Sequence, residues 1–106
     1  GIAFSKSGMK MFIAGNTGDD VNEYTLTTAW DVSSASFVDS FSVATQDTNP
    51  TGIAFSKSGE KMFIAGNDKD RVNEYTLTTA WDVSSASFDS FRWVGGHDSG
   101  TNGMFL

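Results

Sequence analysis

The chain has 106 residues and a formal net charge of −6, with 13 acidic against 7 basic side chains. That balance argues against nucleic acid, whose binders carry basic patches, and against an anionic membrane surface; no apolar run reaches the roughly 18 residues of a transmembrane helix. The absence of Cys excludes disulfides, thiol chemistry and cysteine-based metal sites.

Taken in order, residues 1–5 form a short apolar run closed by the turn Lys6-Ser7-Gly8. A second run, residues 10–15, is closed by a turn at residues 16–19. Residues 21–27, Val-Asn-Glu-Tyr-Thr-Leu-Thr, alternate and are rich in β-branched and aromatic side chains, which predicts a third strand. A longer link containing Trp30-Asp31 follows, then a fourth strand over residues 37–43. Residues 45–51 lead into the next unit, and Pro50, with no amide hydrogen, is expected in this connection and not in a central strand.

From Gly52 the reading begins again. Residues 52–88 repeat residues 1–37 at a spacing of 51, and of these 37 positions 4 differ, leaving 33 identical. The differences are Met9 to Glu60, Thr17 to Asp68, Gly18 to Lys69 and Asp20 to Arg71, all expected in turns. A period of this length marks stacked supersecondary units. Four strands with short loops and no helical period make an antiparallel meander. Its first two strands carry bulk on both faces (Ile2 and Phe4, then Met11, Phe12 and Ile13), so each sheet must be covered on both sides. Such a sheet, stacked between copies of itself, is a β-propeller blade. The expected organisation is all-β: blade one over residues 1–51, blade two over 52–102, and residues 103–106 as the start of a third inner strand or a closing tail.

The segments Pro50-Thr51-Gly52-Ile53-Ala54-Phe55-Ser56-Lys57-Ser58-Gly59 and Lys61-Met62-Phe63-Ile64-Ala65-Gly66-Asn67 resemble the blades of YVTN-type and NHL-type propellers. The resemblance covers about two-thirds of each unit. It implies that the Gly-Ile-Ala-Phe strand lies innermost, against a central channel. The long Trp-Asp link departs from the family pattern, so Trp30 and Trp81 inherit no position from it.

Propellers close with roughly 4 to 8 blades, and two leave apolar faces open at both ends of the stack, with no polar cap evident in either copy. Because the blades are near-identical, the surface offered by blade two copies the one blade one offers to blade two. The expected partner is therefore the chain itself, in a head-to-tail contact that closes into a ring. A trimer of six blades is preferred, by resemblance to six-bladed NHL propellers; a tetramer would give eight. A chain that opens on the first residue of a repeat is also expected of an excerpt from a longer product, whose remaining blades would do the same work.

Catalytic candidates are sparse. His97 is the single histidine, and general acid–base or nucleophilic chemistry needs a second group held beside it; a turn residue is the expected role. The loops Asn16-Thr17-Gly18-Asp19-Asp20 and Asn67-Asp68-Lys69-Asp70-Arg71 are oxygen-rich, yet their spacing is not that of a calcium loop. No cofactor or metal is expected. In a meander the turn between strands two and three shares a rim with the connection between blades, which gathers Asp19, Asp20, Asp47, Asn49, Asp68 and Asp70; by resemblance to propellers this is the default ligand rim. The opposite rim carries Lys6, Lys57 and the Trp-Asp links. Trp30 and Trp81 are candidate platforms for a sugar ring, although an aromatic wedge between blades is the expected role.

The expected function is a non-enzymatic binding or structural scaffold for a protein or glycan ligand. The alternatives are a lectin-like propeller, or a span of a longer propeller of lactonase or lyase type, as some YVTN-like propellers are. Sites of that type rely on His and acidic ligands differing from blade to blade, which two near-identical blades with one His do not readily supply.

Overall fold

The computed structural model describes residues 1–96. They form two four-stranded antiparallel meanders, β1 (Ile2–Phe4), β2 (Lys10–Gly15), β3 (Asp20–Leu26) and β4 (Ala35–Ser42), then β5 (Pro50–Phe55), β6 (Lys61–Gly66), β7 (Arg71–Leu77) and β8 (Ala86–Trp93). The strands fall where the alternation predicts them. Three details differ. Each long link contains a single 3-10 turn, Val32–Ser34 and Val83–Ser85, capped by Asp31 and Asp82 through their side chains. Pro50 is the first residue of β5, an edge strand, where its missing amide interrupts no inner ladder. Asp20 and Arg71 open β3 and β7, so one of the four differences lies in a strand and not in a turn.

The two sheets pack face to face around one core. Blade one contributes Phe12, Ala14 and Val21, and blade two contributes Ile53, Met62, Ile64, Tyr75 and Leu77, all buried. Side chains alternate across a strand, and the two blades use opposite faces of the same sequence. In blade one Phe12, Val21 and Glu23 are buried, while Met11, Ile13, Asn22 and Tyr24 are half-exposed. In blade two the pattern inverts: Met62, Ile64, Asn73 and Tyr75 are buried, and Phe63, Val72 and Glu74 are half-exposed. The inner edges converge, since a Cβ placed on Gly1 would lie 2.8 Å from the Thr51 carbonyl oxygen. The outer strands β4 and β8 are largely exposed.

Both outer strands carry a bulge opposite β3 or β7. Asp39 and Phe37 flank Val38 in one; Ser90 and Phe88 flank Asp89 in the other. Beyond the bulge Phe41 pairs with Val21 and packs edge-on against Tyr75 across the blade junction at 5.7 Å. The equivalent partner of Val72 is Arg92. Blade two's open face is thus more polar than the blade-one face that forms the junction, with Glu60 for the exposed Met9, Asp89 for the exposed Val38 and Arg92 for the half-buried Phe41.

Candidate functional site

The Trp-Asp links build the most elaborate feature of the chain. Trp30 and Trp81 both take φ of 64°, the left-handed region, which a bulky residue enters at a cost of order 1 kcal/mol or more. Each is held there by its own amide, donating to the carbonyl of Gly8 at 2.9 Å or Gly59 at 3.0 Å. The indole then lies flat on that glycine: a Cβ at Gly59 would meet the Trp81 ring at 2.3 Å, and Gly59 itself has φ of 78°. Asp82 locks the next turn, accepting from the Ser84 amide at 3.1 Å and the Ser84 hydroxyl at 2.7 Å. The Lys-Ser-Gly turn and the Trp-Asp link of one blade are therefore a single unit.

Trp81 reaches across the junction. Its ring packs on Phe55 at 5.2 Å and stacks on Phe12 of blade one at 6.3 Å. Beside it, Lys10 of blade one donates to the Trp81 carbonyl at 3.1 Å and to Glu23 at 2.7 Å, while the other Glu23 oxygen accepts the Val83 amide at 3.0 Å. Glu23 is only 1% exposed; its charge is tolerated because both oxygens are bonded and one partner is cationic. This clasp pins the link of one blade to the sheet of the preceding one. Sequence reasoning missed it. The signal was a Lys and a Glu in adjacent strands, on the same face as Phe12, recurring in both copies.

Above the clasp, Ser5, Lys6, Ser7, Met9, Lys10, Ala80 and Trp81 line an open cleft of about 620 Å³. It places Trp81 on the side of the molecule that carries Lys6. Trp30 stands at the same point of blade one, 60% exposed and packed on Phe4 at 5.2 Å, with no preceding blade beside it.

The predicted acidic rim is assembled in part. Asn49 bonds both Asn16 and Asn67, and Asp68 accepts the Thr48 hydroxyl at 2.9 Å, so the connection between blades ties the two β-turn loops together. Asp47 is fully buried, accepts the Asn49 amide at 2.7 Å and packs against Gly66; it is a framework residue of that connection. Asp19 and Asp70 take φ of 52° and 53° in their turns, and their carbonyls accept the Val43 and Val94 amides at 2.9 and 2.8 Å. Asp20 accepts from the Asn22 side-chain amide at 3.2 Å. Among the described residues no group of three or more His, Asp or Glu side chains could hold a metal ion. His97 and residues 103–106 lie outside the described residues.

On the open face of blade two, Lys61 bonds Glu74 at 2.6 Å, Asp89 at 3.1 Å and the Thr76 hydroxyl at 3.1 Å. Hydrogen bonds from Thr76, then Lys61, hold the Asp89 carboxyl below the usual carboxylate range, and those to Glu74 and Asp89 raise the Lys61 ammonium.

No protein-family profile matches the sequence, and no curated protein is similar to it by sequence. Solved structures are similar in fold. One is a protein from Bacteroides uniformis ATCC 8492 described as a candidate 6-phosphogluconolactonase, with a TM-score of 0.64 at 10% identity over 95% of this chain and 28% of that one. Another is the β-propeller domain of Cps50 (Swd1) from Myceliophteria thermophila, with a TM-score of 0.64 at 11% identity over 97% of this chain and 31% of that one. The chain spans about a third of the length of each. With two four-stranded meanders stacked face to face, and 97% of its own length matched to part of a propeller domain, this chain has the fold of a pair of β-propeller blades.

Proposed function

We propose that this blade pair is a non-enzymatic binding and structural scaffold of YVTN-like or NHL-like type, completed into a closed propeller by copies of itself. The observation that carries the reading is the inversion of burial between the blades: the face buried in each copy is the face left open in the other. Complementary ends of this kind make a heterologous contact that closes when the rotation per blade divides the circle. Three chains give six blades, the preferred assembly, and four give eight. Native mass spectrometry of the 106-residue chain tests it. A single species of three or four chains supports the ring; a monodisperse monomer at high concentration overturns it.

A glycan ligand is the second reading. The cleft beside Trp81 supports it, with an aromatic surface next to the Ser5 and Ser7 hydroxyls, the combination that suits a sugar ring. Repetition around a ring would add avidity to weak single contacts. A glycan array probed with the assembled protein is the test, and no binding at high protein concentration counts against it. A third arrangement, a span of a longer propeller of lactonase type, would be supported by a stoichiometric bound divalent metal.

A further inference from the structure

The junction inside the chain is a template for a junction between chains. Blade one's Lys10 and Glu23 hold the carbonyl of Trp81 and the amide of Val83. Blade two repeats the pair as Lys61 and Glu74, bonded to each other at 2.6 Å but half-exposed, and blade one repeats the link as Trp30 and Val32, each 60% exposed. Val83, by contrast, is fully buried in the junction. Half of a clasp stands open at each end of the molecule.

We infer that the open face of blade two is a docking surface for a second copy of this chain, Glu74 accepting the Val32 amide of the incoming link while Lys61 donates to its Trp30 carbonyl. This rests on the ring reading above and names its contact. Three observations point to this occupant. The surface continues an interface already formed within the chain, from the same residue types at the same register: Phe63, Val72 and Glu74 stand where Phe12, Val21 and Glu23 are buried. The incoming link is preformed, since Asp31 caps its turn and Gly8 holds Trp30 just as Asp82 and Gly59 do in the buried copy. The open face keeps Phe63, Val72 and Glu74 and puts charge, as Glu60, Asp89 and Arg92, where the blade-one face has Met9, Val38 and Phe41, so the contact offered to a second chain is the more polar of the two, as interfaces between separate molecules are. Docking transfers Lys61 from Asp89 to the Trp30 carbonyl and leaves Asp89 bonded to Thr76.

The docked site also forms a second cleft, unlike the first. Trp30 of the incoming chain would face Ser56, Lys57, Ser58 and Glu60, where Trp81 faces Ser5, Lys6, Ser7 and Met9. That site is incomplete without the partner copy, and it carries a carboxylate where the first has a thioether.

The test uses one disabled face at a time. Glu74→Ala removes the acceptor on blade two. Val32→Pro removes the donor on blade one; proline is tolerated at the first position of a helical turn, and Asp31 before it is already extended, with φ of −104° and ψ of 99°. Each variant alone should associate at least about tenfold more weakly than the parent, the scale of a lost hydrogen bond to a charged group. Mixed in equal amounts, the two should give a two-chain species, because the intact blade-two face of the proline variant meets the intact link of the alanine variant. Circular dichroism checks that both fold, with Trp30→Ala as the second link-side variant. A parent chain that assembles while both variants keep its mass and affinity overturns this contact and leaves the ring reading standing, as does a mixture that stays monomeric. A parent that is itself monomeric overturns the ring reading and this contact with it.

Discussion

Glu23 and Glu74 stand at the same position of the repeat, and each binds a lysine through Oε2, at 2.7 and 2.6 Å; only Glu23 has a second partner among the described residues, the Val83 amide of the other blade. One substitution therefore has two outcomes. Glu23→Ala leaves Lys10 and a buried amide without their acceptor and should cost about 3 kcal/mol, the lower end for breaking a buried pair because Lys10 is partly exposed. Glu74→Ala, on an exposed pair, should cost less than about 1 kcal/mol in the isolated chain. Urea denaturation at low protein concentration reads the difference.

The two tryptophans should behave in the same unequal way. Trp81→Ala removes a ring that touches Phe12 and Phe55 across the blade junction and should cost about 3 kcal/mol. Trp30→Ala removes a ring that is 60% exposed and packed on Phe4, and should cost about 1 kcal/mol. Equal losses in thermal unfolding would contradict the assignment of Trp81 as the wedge.

Gly15 and Gly66 end β2 and β6 at equivalent positions. A Cβ on Gly15 meets nothing within 4 Å, whereas one on Gly66 would lie 2.4 Å from the buried Asp47 carboxylate. Gly15→Ala should be neutral or stabilising by about 0.5 kcal/mol through the unfolded chain. Gly66→Ala should destabilise by about 2 kcal/mol, as overpacking does, because Asp47 is fixed by the Asn49 amide and cannot retreat into solvent.

Burial, and then the Asp47 charge, push the Tyr75 hydroxyl well above its ordinary value, while Arg71 opposes them. The hydroxyl donates to the Gln46 side-chain oxygen at 3.0 Å. A folded value above the unfolded one means that the contribution is complete below about pH 10, the unfolded tyrosine value, and is lost as pH rises toward the folded value. Tyr75→Phe should cost about 1 kcal/mol at neutral pH, and the gap between parent and variant should narrow above pH 10. A gap constant from pH 8 to 11.5 would remove Tyr75 as the titrating group.

Strand positions were legible because alternation and turn residues are local properties. The clasp was not. A Lys and a Glu in a strand look like solvated surface until the facing blade is known, and the partner atoms of Glu23 and Lys10 are backbone groups of residues 83 and 81, which carry no side-chain signal. The rim was read from topology, and the loops of residues 16, 49, 67 and 68 do meet; the burial of Asp47 beneath them could not be read, since it depends on a glycine in the neighbouring strand.

What the sequence determined by itself is the blade: the strand order, the turns, the apolar character of both faces, and the near-identity of the two copies. Tertiary structure decided what identical residues do. Phe12 is buried and Phe63 is half-exposed, Val83 is buried and Val32 exposed, and no property of the residue distinguishes them. It also decided the register of the last strand. By residue type, Asp89-Ser90-Phe91 matches Asp39-Ser40-Phe41, yet the ladder puts Asp89 in the bulge and Arg92 in the place of Phe41. The physical reasons differ. Side-chain burial is set by the surface that lies opposite, which a repeat contains only in its neighbour. Register is set by pairing within the blade, where the bulge keeps its place opposite Glu23/Tyr24 and Glu74/Tyr75 although β8 has one residue fewer before its last Phe.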